Sequence, residues 1–132
     1  MDLSGRRILV TGASSGIGKE IAVVFSELNA RLVLAGRDEA RLQETLSQLQ
    51  GSGHAVAAFD LAAADEIPRR IREIAASGGP LQGLVHSAGL HGIVPLSALS
   101  VRKLDDFMRV NLDAAIMLAK AFRLKDCSGQ GG

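Results

Sequence analysis

The sequence predicts an α/β fold, a doubly wound parallel sheet with helices on both faces. Three observations carry this. Apolar runs alternate with amphipathic runs along nearly the whole chain, as successive strand-helix units require. The interiors of the apolar runs are almost continuously hydrophobic, the pattern of strands covered on both faces. The first of them passes through a glycine-spaced turn directly into a helical pattern. With 132 residues and 47% hydrophobic content, the chain has material for one domain around one core, and too little for two.

In chain order, RRILVT (Arg6–Thr11) is the first strand and Gly16–Leu28 the first helix. RLVLAG (Arg31–Gly36) is the second strand, and the helix after it, over Glu39–Leu49, begins where Asp38 is placed to cap it. HAVAAFD (His54–Asp60) is the third strand. The third helix, Asp65–Ala76, carries Pro68 in its first turn, where a missing N–H costs little, and stops at SGGP. GLVHSAG (Gly83–Gly89) is the fourth strand. Every crossover is long enough for parallel pairing. The last pattern, about Ser100–Phe122, reads as one long helix with two apolar stripes. Leu104, Met108, Ala115, Leu118 and Phe122 form one, and Phe107, Val110, Ala114, Met117 and Ala121 the other. Two apolar faces call for burial on more than one side, against the sheet and against a further helix or a second subunit.

Composition narrows the function. A formal net charge of +1 sets up no general attraction to nucleic acid or anionic membrane. Tyrosine and tryptophan are absent and phenylalanines number four, so no aromatic platform for single-stranded nucleic acid is expected. No stretch has the roughly 18 uninterrupted apolar residues of a membrane span, and the first apolar run is too short for a signal-peptide core. The expectation is a soluble, cytoplasmic protein with no nucleic-acid or membrane partner. Cys127, the single cysteine, cannot form an internal disulfide, fits a reducing compartment, and reads as an inert thiol in the tail. His91 has no partner at metal-ligand spacing, and no metal is expected.

The chemistry concentrates in LVTGASSGIGKEIA, where Gly12, Gly16 and Gly18 are spaced G-x3-G-x-G between strand and helix. Gly12 permits a tight turn off the strand, Gly16 lets the backbone approach a ligand, and Gly18 allows close packing of helix on strand. The free N–H groups of that helix, at its positive end, would face an anion, and a pyrophosphate suits them. Ser14 and Ser15 add hydroxyl donors, and Ile17 belongs to the same first turn. The G-K-[ST] phosphate loop is excluded, because Lys19 is followed by Glu20.

TGASSGIG resembles the cofactor motif of the short-chain dehydrogenase/reductase family, and three further places support the resemblance in order. Asp60, with Leu61 beside it, matches the acidic residue that contacts the adenine in that family. HSAG (His86–Gly89) resembles its N-N-A-G segment, and VNL (Val110–Leu112) the segment that carries a catalytic asparagine. The resemblance covers the whole chain and about the first half of the family's usual domain. It implies a Rossmann-like sheet of order 3-2-1-4, with Ser87, Ala88 and Gly89 running close to the cofactor ribose. It also implies that Asn111 holds a water of a proton relay. His86 stands where the family has asparagine and reads as an internally satisfied strand histidine. Asn111 interrupts an apolar stripe, so a buried amide in need of partners is expected.

An acidic residue at the end of the second strand selects the 2′-hydroxyl of NAD(H), whereas a basic one accepts the 2′-phosphate of NADP(H). Here the strand ends LAGRD. Gly36 takes the acidic slot and Arg37 follows with a guanidinium suited to phosphate, so NADP(H) is expected in preference to NAD(H).

The family takes its proton from a tyrosine in Y-x3-K, and this chain has no tyrosine. Residues 1–132 are therefore expected to be a single dinucleotide-binding Rossmann domain truncated before the catalytic segment, with CSGQGG leading into a fifth strand. By resemblance, the intact protein would be an NADP(H)-dependent oxidoreductase. It would interconvert a small-molecule carbonyl and alcohol by hydride transfer and self-associate through the Ser100–Phe122 helix. The alternative is a non-catalytic NADP(H)-binding or sensing module, complete as given.

Overall fold

The computed structural model describes residues 1–129. Four parallel strands form one sheet in the order β3-β2-β1-β4: β1 (Arg7–Thr11), β2 (Arg31–Gly36), β3 (Ala55–Ala58) and β4 (Gly83–His86). This is the expected order. In the register, Leu9 lies between Val33 of β2 and Leu84 of β4, and Val33 pairs with Ala55. Beyond β4, on the side away from β1, Ser128 makes a parallel bridge to Leu81. Leu81 N donates to the Cys127 carbonyl (2.8 Å) and Gly129 N to the Leu81 carbonyl (3.0 Å). The start of the anticipated turn thus has the pairing of a further strand; Gln130–Gly132 lie outside the described residues.

The continuous hydrophobicity of β1 and β2 is explained by two cores, one on each face. Ile8, Val10, Leu32 and Leu34 point to one face, where Ala22 of α1 (Gly16–Glu27) and Leu42 of α2 (Glu39–Leu46) close over them. Leu9, Val33 and Ala35 point to the other. There they meet Ile67, Ile71 and Ile74 of α3 (Ile67–Gly78) and Ala114, Leu118 and Ala121 of α5 (Ala114–Phe122). Side chains alternate along a strand, so each uninterrupted apolar run feeds both cores. Burying a Leu or Ile of these cores contributes about 1.5–3 kcal/mol.

Cys127 is a core residue and not a tail thiol: it is fully buried against the same cluster as Leu81 and Leu118. Burial pushes its thiol up, Arg72 acts weakly the other way, and it stays protonated and inert.

Arg7 is buried on β1. Its Nη1 donates to the Ile74 carbonyl (2.9 Å) and to the Gly79 carbonyl, while Arg31 Nη2 donates to the Gly78 carbonyl (3.0 Å). Two strand arginines thus satisfy the carbonyl end of α3, where cations are favoured.

The long final helix is not uniform. α4 (Val101–Met108) passes into five residues of π-helix, Arg109–Asp113, and only then into α5. A π-turn inserts an extra residue and rotates the helix beyond it, so the two apolar stripes drawn across it do not run straight. Burial is confined to α5. α4 has no buried residue, and Leu104, Met108, Leu112 and Ile116 are exposed.

Candidate functional site

A cavity of about 520 Å³ opens at the C-terminal ends of the strands, the edge where open parallel sheets bind ligands. The residues at each strand's end contribute: Gly12, Ser14, Ser15, Gly16 and Ile17 after β1, Gly36 and Arg37 at β2, Phe59, Asp60 and Leu61 after β3, and Ser87, Ala88 and Gly89 after β4. All the expected cofactor-binding positions except Gly18 therefore line one space.

The first turn is dictated by its glycines. Gly12 has φ +67°, and a Cβ there would lie 2.7 Å from Ala88 N, so the turn off β1 and its approach to the β4 segment both demand glycine. Gly16 has φ +55° with open space around it, on the cavity side. Gly18 faces inward: a Cβ would press into the main chain of Gly12 (2.8 Å from its carbonyl carbon), so its part is packing. Ser15 is the N-cap residue of α1, yet its side chain makes no capping hydrogen bond and the first turn has no acidic residue. The first N–H groups of α1 therefore lack a side-chain acceptor.

Asp60 is exposed, and its carboxylate accepts from Ala62 N (2.9 Å), a local turn that also fixes it at the cavity rim. Arg37 is exposed at the neighbouring strand end, after β2. Thr11 Oγ1 lies 2.8 Å from His86 Nδ1 and accepts from Ala88 N (3.3 Å), tying the ends of β1 and β4 together. His86 is only half satisfied, contrary to expectation, because its Nε2 is buried without a hydrogen-bond partner among the described residues. Burial pushes its imidazole below the usual value, and the Val110 main chain pulls weakly the other way.

Asn111 corrects another expectation, being exposed in the π-turn and outside the cavity lining. Its amide is nevertheless engaged, and not locally: Oδ1 accepts from Leu90 N (2.9 Å) and Nδ2 donates to the Leu90 carbonyl (3.2 Å). This pair pins the segment after β4 onto the final helix. Leu90, His91 and Val110 line the cavity beside it; the sequence named His91 and Val110 for other reasons and Leu90 not at all. Gly36, already read as the residue in the acidic slot, lines the cavity too, and Phe59 and Arg41 complete the additions. Of these only Arg41 had a readable signal, a cation one helical turn beyond Arg37. Among the described residues no cluster of His, Cys, Asp or Glu could hold a metal ion.

A Rossmann-like sheet, a glycine turn into an uncapped helix and a cavity across all four strand ends match a known family. The profile of the short chain dehydrogenase family covers residues 6–132. The chain belongs to that family. Gluconate 5-dehydrogenase from Gluconobacter oxydans is 34% identical over 121 residues, 90% of this chain and 47% of the relative. A protein of Escherichia coli CFT073 solved with NADPH superposes with a TM-score of 0.83 at 34% identity, over 91% of this chain and 52% of that one. A metagenomic short-chain oxidoreductase solved with NADP gives a TM-score of 0.83 at 36% identity, over 91% and 56%. The chain spans about half the length of the curated relatives it matches. Among the described residues no helix is long and apolar enough to cross a membrane.

Proposed function

We propose that these 132 residues form the cofactor-binding half of an NADP(H)-dependent oxidoreductase that interconverts a carbonyl and an alcohol. The observation that carries this is the open N-terminus of α1, with Gly16 and no capping side chain, facing the same cavity as Arg37. The cavity fits a dinucleotide. The pyrophosphate would lie on the α1 N–H groups with Ser14 and Ser15, the 2′-phosphate on Arg37, the adenine beside Asp60 and Leu61, and a ribose along Ser87–Gly89. When bound, the cofactor supplies or accepts the hydride.

Asn111 is a positioning residue in this reading. Its amide holds Leu90, and through it the wall of the cavity below the reacting end, while the water of a proton relay is the role implied by family resemblance. The tyrosine from which the family takes its proton is not among these residues. Exposed Leu104, Met108, Leu112 and Ile116 support self-association along α4 and α5, which light scattering on the intact protein tests; a monodisperse monomer would count against it.

The cofactor assignment is tested by calorimetric titration with NADPH and NADH. Tighter NADPH binding that Arg37→Ala weakens selectively is expected. Equal affinities, unchanged by Arg37→Ala, would sink the assignment.

A further inference from the structure

Resting on the NADP(H) reading, we propose that Arg41 is a second guanidinium of the 2′-phosphate subsite, so that Arg37 and Arg41 act as a pair. A ribose 2′-phosphate is a monoester with close to two negative charges near neutral pH. The glycine turn offers it only hydroxyls and main-chain N–H groups. Apart from His91, Arg37 and Arg41 are the only basic side chains lining the cavity among the described residues, and Asp60 is its only carboxylate.

Both arginines are exposed, and neither makes an ion pair among the described residues. Arg69 and Arg70 on α3 differ in this respect, being paired with Glu66 and Glu73. Asp38, the carboxylate next to Arg37 in sequence, is turned to the Arg41 main-chain N–H (3.1 Å) as the cap of α2. Arg41 lies in the first turn of α2, and its side chain lines the cavity. Arg37 leaves from the strand end and Arg41 from the helix, so two planar forks approach one site from different elements. This arrangement suits the three oxygens of a phosphate better than a single fork.

The test is the NADPH-over-NADH affinity ratio of the chain and of its Arg41→Ala, Arg41→Lys and Arg37→Ala variants, read by calorimetry. Arg41 is exposed on a helix and alanine is the better helix former, so Arg41→Ala should keep the parent thermal midpoint. It is expected to cut the ratio about tenfold by weakening NADPH while leaving NADH within about twofold; Arg41→Lys, which keeps the charge and loses the fork, should fall between. A ratio unchanged in Arg41→Ala but collapsed in Arg37→Ala would overturn the pair and leave the NADP(H) reading standing. A parent chain with no preference for NADPH would overturn both.

Discussion

Helices α1 and α2 each come directly after a strand of the sheet and start beside the same cavity, but their N-termini are finished in opposite ways. At α2, Asp38 accepts from the Arg41 N–H and Glu39 sits in the first turn, so the helix satisfies its own positive end. At α1, Ser15 does not cap, Gly16 presents no side chain, and the first turn has no acid. The capped end stabilises the fold and reaches the cavity only through long side chains. The open end forgoes about 1 kcal/mol of capping and keeps main-chain donors free for an anion.

The comparison can be broken first at the turn that creates it. Gly12→Ala forces a Cβ into the Ala88 main chain at a positive φ, and should cost about 3 kcal/mol or more in urea unfolding. Parent-like stability would mean the turn relaxes freely. Next, Ser15→Asp gives α1 the kind of cap that α2 has. The chain without cofactor should gain about 0.5–1 kcal/mol while NADPH binding weakens about tenfold, as the carboxylate takes the anion's place. A stabilised variant with unchanged NADPH affinity would put the phosphates elsewhere. Asp38→Ala is the mirror change. It should lose about 1 kcal/mol, seen as a lower thermal midpoint, with NADPH affinity unchanged or slightly improved; a tenfold loss of affinity would show that Asp38 does more than cap.

The smallest effect concerns the end of β4, where His86 pairs with Thr11 beside the open turn. Burial holds the His86 imidazole below its ordinary value of 6.5, so the unfolded chain takes up that proton more readily. The neutral form's contribution to stability is full above about pH 6.5 and is lost as pH falls through the lower folded value. His86→Asn, which cannot titrate, should flatten that acid limb of the thermal midpoint against pH. An unchanged limb would assign it to other groups.

What the sequence revealed, and what it hid, divides by the range of the interaction. The four strands were legible because each had to fill two cores, and the glycine turn because its φ angles and close contacts admit few other residues. Arg37 and Asp60 were legible from their places at strand ends. Arg7 was not, because its partners are the carbonyls at the far end of α3, which no local pattern announces. The π-turn was nearly silent: only Asn111 stood out in RVNLD, as a weak helix former in an apolar stripe, and its partner lies in a loop 21 residues away. Leu90, which lines the cavity, is held by that contact, and no local pattern pointed to it.

The clasp between Asn111 and Leu90 also sets which of the two positions is free to vary. The side-chain amide reads only the N–H and C=O of residue 90, as a neighbouring peptide group would, and is indifferent to what that residue carries. Position 90 can therefore change to suit whatever is bound beside it, provided it is not proline. Position 111 cannot vary in the same way, since a shorter, longer or charged side chain would lose one half of the clasp. A wall of the cavity is held in place without its chemistry being fixed, which leaves selectivity open to change at no cost to the frame.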